Sequence, residues 1–389
     1  MRMPTAPLPR WRADFALATF LRRDWQQRPR LIRQAWPGWR NPLALADLIA
    51  LAGADSVEAR LISCRRQRWQ IDHGPFSAAR FAALPRRHWT LLVQAVDHHV
   101  PAVARLLDGF RFIPDWRIDD VMVSYAVDGG GVGPHFDQYD VFLLQGAGQR
   151  RWQVGARCDR QTPLAAHDEL RLLANFQARQ EWLLEPGDML YLPPRYAHHG
   201  VAVGTDCMTY SIGLRAPSRA ELLGHWCDYL IDRLDDDDRY VDGALTPTAL
   251  AGEIDQTTLA ALHAMVSERL RDRAAFADWF GRYATERKYA EVDPVPARPL
   301  SRAQLTRRLA AGACLLRAAS SRYALVREPP ALFVDGQRFA LCGAALRLAA
   351  LLCADGPRAL RSGDVRAAAA LALATALYAQ GSLVFAHDS

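Results

Sequence analysis

Between residue 1 and about residue 215 the apolar positions fall in short runs, Val121–Val127, Val141–Gln145, Arg151–Val154, Trp182–Leu184, Met189–Leu192 and Met208–Leu214, with glycine and proline between them. Short strands at close spacing with turn signals predict a β-sandwich or barrel. From Ala216 the pattern changes. Ser218 followed by Glu221 is a capping-box signature opening an amphipathic run to about Leu234, and Thr258–Arg271 reads as a second helix. Pro294–Pro299 is a stiff stretch whose prolines cannot continue a helix, so a domain boundary is expected nearby. Beyond it come a helix from Arg302, a hairpin turning at Asp335-Gly336 between Leu332–Val334 and Arg338–Ala340, and helices over Ala344–Leu352 and Asp364–Gln380. A small helix-plus-hairpin unit of this kind resembles a winged helix.

A chain of 389 residues is long enough for two or three domains, each with its own core. Its seven cysteines (Cys64, Cys158, Cys207, Cys227, Cys314, Cys342 and Cys353) are odd in number and never spaced C-x-x-C, which argues against a disulfide framework and a zinc knuckle. A reducing, cytoplasmic setting is expected. Pro4, Pro7, Pro9, Arg10, Arg12 and Asp14 break any leader-like apolar stretch, and no run of about 18 apolar residues offers a membrane span. The formal charge of +6 is carried largely by arginines dispersed among acids, so direct nucleic-acid recognition is not expected. The four acids Asp235–Asp238 read as a solvated turn.

The chemistry sits in Gly129-Gly130-Gly131-Val132-Gly133-Pro134-His135-Phe136-Asp137, where a glycine-rich turn delivers a His-x-Asp pair. Side chains at i and i+2 of an extended segment share a face, so His135 and Asp137 can converge on one ion. A third ligand is offered by Glu185-Pro186-Gly187-Asp188 and Met189 to His198, a turn, a short strand, a proline stop and then histidine. This layout matches the second metal-binding strand of cupin-type double-stranded β-helices. Two imidazoles and a carboxylate with open positions form the facial triad of non-haem Fe(II) oxygenases. His199 is the competing ligand, with His198 preferred; His98, His99 and His167 lack such surroundings and read as exposed loop histidines.

Arg150 opens the strand Arg150–Val154, and alternation puts it on the inward face with Trp152 and Val154 while Arg151 and Gln153 face water. A buried guanidinium needs a matched partner, and a carboxylate fits its planar fork. Arg150 is therefore the expected grip on 2-oxoglutarate, an internal salt bridge being the other reading. Thr209 and Ser211 could add hydroxyl contacts to that cosubstrate. Fe(II), 2-oxoglutarate and O2 are the implied cofactors, and hydroxylation of a C–H bond the implied reaction.

Residues 129 to 146, with Trp25–Ala35 and Glu185–His198, resemble the JmjC-type ribosomal oxygenases of bacteria. The resemblance implies an α+β chain with a cupin-like double-stranded β-helix (JmjC) domain over 1–215, a helical dimerisation module over 216–290 and a winged-helix-like domain over 291–389. It implies an arginine 3-hydroxylase acting on the large-subunit ribosomal protein L-sixteen, working as a homodimer, with His135, Asp137 and His198 as iron ligands and Arg150 on 2-oxoglutarate. Eukaryotic relatives carry lysine at that position, so Arg150 favours the arginine-directed branch. Asp128 could pair with a substrate guanidinium at the mouth of the site, or be a turn residue. Two other readings stand beside this one. A cupin-sensor regulator would bind DNA through the winged helix, yet Asp364–Gln380 holds Arg366 as its only basic residue. A JmjC demethylase would share the same first oxidative step.

Overall fold

The computed structural model describes residues 10–386 other than 67, 244–249, 251, 290–295, 297 and 355–358. Part of the expected proline linker, including Pro294, Val295 and Ala297, lies outside the described residues. The N-terminal part is built on nine strands: β1 (Arg30–Ile32), β2 (Ala59–Arg65), β3 (Arg68–His73), β4 (Trp89–Val93), β5 (Ile118–Ala126), β6 (Asp140–Arg157), β7 (Gln180–Leu184), β8 (Met189–Leu192) and β9 (Tyr196–Leu214). They run β1-β8-β6-β9-β5-β4-β2-β3, with β7 on the far half of β6. Every pairing is antiparallel.

Two apolar runs expected as separate strands, Val141–Gln145 and Arg151–Val154, are one 18-residue strand. Gly148, at φ +58°, carries the chain across two register shifts between Gln145 and Gln149, so β6 bends instead of stopping. Its partner β9 likewise spans from the histidine segment to Leu214. The bent pair belongs to both halves of the sheet and folds it around an interior. Alternation then divides the side chains. Phe142, Leu144, Tyr191, Tyr210 and Ile212 join the main core with Phe20 and Phe110. Val141, Leu143, Trp152, Leu190 and Leu192 face the other way and form a second apolar cluster.

The predicted capping box is present, Ser218 accepting from the Glu221 N–H and Glu221 returning the bond, and the helix runs Arg219–Ile231. A second helix spans Gln256–Leu270, capped by Asp255. A third, Arg273–Thr285, was not anticipated; Trp279 and Tyr283 pack it on Trp226 of the first. Its Gly281 lies flat on the Phe333 ring, where any side chain would collide. This helix therefore touches the C-terminal strands β11 (Tyr323–Arg327), β12 (Pro330–Val334) and β13 (Gln337–Ala340), which follow β10 (Leu315–Arg317). The expected hairpin is β12–β13, and β10 pairs with β14 (Leu383–Phe385). The helix expected over Asp364–Gln380 starts later, at Ala368, after a 3-10 turn over Ser362–Val365. Ala370, Leu373, Ala374, Leu377 and Tyr378 bury it in the domain core. None of the seven cysteines is in a disulfide, and no helix among the described residues is long and apolar enough to cross a membrane.

Candidate active site

His135 and His198 stand 63 residues apart in sequence, and the backbone itself brings them together. The His135 N–H donates to the His198 carbonyl at 3.0 Å and the His198 N–H returns the bond at 2.8 Å. The glycine run lies alongside β9 as well, Gly129 donating to Ala202 at 3.0 Å and Ala202 to Gly130 at 2.8 Å. So close an approach needs Gly131, because a methyl there would run into the Gly200 carbonyl. Gly133, at φ +83°, then turns the chain so that Pro134 and His135 enter the site. On the other side Pro193 and Pro194 lead into Arg195, whose left-handed backbone lets its N–H reach the Asp137 carbonyl at 2.6 Å.

The side chains converge accordingly. One ligand atom each from His135, Asp137 and His198 lies within 4.8 Å of the other two. The imidazole centroids are 4.2 Å apart, and His198 Nε2 is 3.6 Å from the Asp137 carboxylate. Each ring has Nδ1 against a carbonyl, Gly133 for His135 and Tyr196 for His198, both at 2.9 Å. A carbonyl only accepts, so Nδ1 must carry the hydrogen and Nε2 keeps a free lone pair aimed inward. Burial, reinforced by His135, holds the His198 pKa down to about 4, which keeps the ring neutral as a metal ligand requires. His199 points to the opposite side of the strand, edge-on to Phe176, and is not part of the cluster. A two-histidine, one-carboxylate donor set suits Fe(II), and these three residues could hold it.

A cavity of about 590 Å³ opens from the cluster, lined among others by Met122, Ser124, Val141, Leu143, Arg150, Trp152, Thr209 and Ser211. Arg150 is 3% exposed. Among the described residues its one side-chain hydrogen bond is a long one to Ser124 Oγ, 3.4 Å, and its Nε is buried without a partner. No acid among the described residues pairs with it, so the internal salt bridge is not what the fold provides. Trp152, whose ring lies 5.7 Å from the guanidinium, also holds a buried unpartnered N–H. Two wall residues with idle donors fit an acceptor-rich anion such as a carboxylate. Thr209 lines the cavity but donates its hydroxyl to Gln145 at 3.1 Å, whereas the Ser211 hydroxyl has no hydrogen-bond partner among the described residues.

Asp128 is elsewhere. It is absent from the cavity wall, its carboxylate pairing with Arg87 at 2.6 Å and accepting from the Gly204 N–H at 3.0 Å, so it is a turn residue. Besides Asp137, the acids at the cavity are Glu58, Asp119, Asp120 and Glu169. Asp119 and Asp120 carried no sequence signal, because they sit at a register irregularity of β5 between Ile118 and Val121 that period-2 reading does not anticipate. Ser124 could have been found from its place on the Met122 strand opposite Thr209. His98 and His99 are not exposed loop histidines either: they end the helix Val96–His99, with the His98 side chain only 10% exposed. His167 is a half-buried turn residue whose Nδ1 accepts from the Glu169 and Leu170 N–H groups.

Residues 105–222 match the JmjC domain family and residues 268–384 the ROXA-like winged helix, which therefore begins before the Arg273–Thr285 helix. The chain is 39% identical over 280 residues to the ribosomal protein uL16 3-hydroxylase of Escherichia coli (strain K12), covering 72% of this chain and 74% of that protein. The X-ray structure of E. coli ycfD superposes with a TM-score of 0.88 at 33% identity, over 96% of this chain and 99% of that one. A further structure of the same E. coli ribosomal oxygenase, in complex with cobalt and 2-oxoglutarate, gives a TM-score of 0.86 at 32% identity, covering 97% and 100%. With that extent of shared sequence and architecture, the chain belongs to the JmjC-type ribosomal oxygenases.

Proposed function

We propose that this protein is an Fe(II)- and 2-oxoglutarate-dependent hydroxylase of an arginine side chain on ribosomal protein uL16. The observation that carries the reading is Arg150, a buried cation without an acid partner on the wall of the same cavity as the His135–Asp137–His198 cluster. Iron held by those three residues would supply the redox chemistry that couples oxidation of 2-oxoglutarate to succinate and CO2 with insertion of one oxygen atom of O2 into a C–H bond. The chain's own tasks are to bind, orient and keep water out. Arg150 takes the distal carboxylate of the cosubstrate, with Ser211 free to donate beside it. Val141, Leu143, Trp152 and Leu172 supply the apolar wall, and Glu58, Asp119 and Asp120, beside Arg60, Arg215 and Lys288 on the same wall, are the carboxylates that could meet a guanidinium. The relationship to the E. coli uL16 3-hydroxylase supports the same substrate class here. The winged helix is read as a packing unit, since the Ala368–Ala379 helix buries Leu373 and Leu377.

The test is succinate release by iron-loaded protein with 2-oxoglutarate and O2, in the presence of uL16 from the same organism. The expected result is a gain of about 16 Da on one uL16 arginine, stoichiometric with succinate. Succinate without that gain would keep the oxygenase and remove uL16 as substrate; loss of a methyl group from a methylated peptide would favour the demethylase.

The helical module supports a homodimer, and 216–290 is proposed as its site. Most large apolar side chains left exposed among the described residues lie between Leu223 and Phe276. The Gln256–Leu270 helix has no buried residue at all, yet Leu259, Leu262, Val266 and Leu270 form one stripe down it. A helix of about four turns that buries no residue among the described ones is marginal in water, so a second copy is the natural cover. Leu262→Glu combined with Val266→Glu is expected to halve the mass seen by light scattering; an unchanged mass would dismiss this face as the interface.

A further inference from the structure

The C-terminal domain reaches the part of the cavity wall that bears Asp119 and Asp120. Asp119 and Asp120 are neighbours on β5, and in a regular strand their carboxylates would point to opposite faces. At the irregularity between Ile118 and Val121 one ammonium grips both: Lys288 Nζ is 2.7 Å from Asp119 and 2.8 Å from Asp120. Arg322, next to β11, adds two bonds to Asp119, 2.8 Å to the carboxylate and 3.0 Å to the carbonyl. Both cations are anchored from the winged-helix side. Asp335, in the β12–β13 turn, accepts from the Arg322 backbone N–H at 2.9 Å and from the Arg287 guanidinium at 2.8 Å, fixing the residue before Lys288.

Only one oxygen of Asp120 is used up by this scaffold. Its Oδ2 accepts from Lys288, from Gln94 at 2.8 Å and from the Ala95 N–H at 3.0 Å. Oδ1 takes no hydrogen bond from the described residues and lies 3.8 Å from where a side chain at Gly213, another cavity residue, would begin. Two adjacent carboxylates at a cavity wall repel one another unless cations offset them. Here the offsetting charge comes from outside the sheet, and it fixes the direction of the open oxygen.

We propose that the winged-helix domain is a positioning element of the active site, setting through Arg322 and Lys288 the geometry of the Asp119–Asp120 pair that receives the cationic side chain of the protein substrate. This rests on the arginine-directed reading above. It gives the domain a role in substrate recognition without contact with nucleic acid. It also explains why a catalytic sheet carries a C-terminal unit about 200 residues downstream of β5, since the pair Arg322–Asp119 spans 203 positions of sequence.

Arg322→Met should raise the KM for uL16 about tenfold, the scale of one charge-assisted hydrogen bond, with the KM for 2-oxoglutarate unmoved. Arg322→Lys should recover part of it, as the charge stays while the geometry of the guanidinium is lost. Lys288→Met serves as the second variant should Arg322→Met fail to fold, and thermal unfolding identifies that failure. Titration with N-acetyl-arginine methylamide reads the Asp119–Asp120 pair without turnover and without assuming the natural substrate. Weaker binding in both variants is expected. Unchanged binding and an unchanged uL16 KM in folded variants would overturn the proposal, as would failure of the unaltered protein to bind the probe. Absence of uL16 hydroxylation by the unaltered protein would instead overturn the substrate reading, with the probe titration still deciding the role of the domain.

Discussion

Asp137→Ala is expected to yield a folded protein that retains iron roughly a hundredfold more weakly or worse and makes no hydroxylated product, since loss of an outer partner alone already costs about 10- to 100-fold at metal sites. The fold should survive because the loop bearing Asp137 is held by backbone bonds, His135 to His198 in both directions and Arg195 to the Asp137 carbonyl, none of which involves the carboxylate. What disappears is the one negative charge among the three ligands, leaving two neutral imidazoles for a dication. His198→Ala should behave similarly. His199→Ala should bind iron as the parent does, because its ring lies against Phe176 and outside the cluster. Metal content after dialysis, with circular dichroism as the control for folding, separates these cases. Iron loss in His199→Ala with retention in His198→Ala would exchange the two histidines and sink the triad as drawn.

The legible part of this site was local. His-x-Asp on an extended segment and a histidine after a proline stop are patterns that sequence spacing can carry, and the structure brings those three side chains within reach of one ion. Arg150 was legible for a related reason, since period-2 alternation through Trp152 and Val154 fixes which side of β6 it takes, and it is indeed buried. Strand ends were harder. The apolar runs at Val141 and Arg151 looked separate because the glycines between them read as turn residues, whereas in the fold they bend one continuous strand. The substrate end was not legible. Asp119 and Asp120 gain their shared orientation from a register irregularity, and their cations arrive from residues 288 and 322. Asp128, chosen for its nearness in sequence to the glycine run, is tied to Arg87 instead. Proximity along the chain misleads where a turn carries the side chain away from the pocket it borders.

Arg150→Met should produce two effects of opposite sign, and their conjunction is the informative result. In the apo protein a buried guanidinium with an unpartnered Nε and only a 3.4 Å bond to Ser124 is a desolvated charge with little in return. Replacing it by an apolar chain of similar length removes that penalty, so the apo protein should gain stability on the order of 1–4 kcal/mol, as when buried ions are exchanged for well-packed apolar groups, and melt at a higher temperature. With 2-oxoglutarate the sign reverses. The carboxylate loses a charge-assisted contact worth about 1.5–3 kcal/mol, so its KM should rise by a factor on the order of 10 to 100. The stabilisation that 2-oxoglutarate confers on the unaltered protein through binding to the native state should shrink in step. Arg150→Lys should fall between the two, keeping charge but not the planar fork. A scan of melting temperature with and without 2-oxoglutarate, alongside the KM, tests the whole argument in one set of variants. A destabilised apo Arg150→Met with an unchanged KM would mean that the guanidinium serves the fold, and that the cosubstrate is held by other groups on the cavity wall.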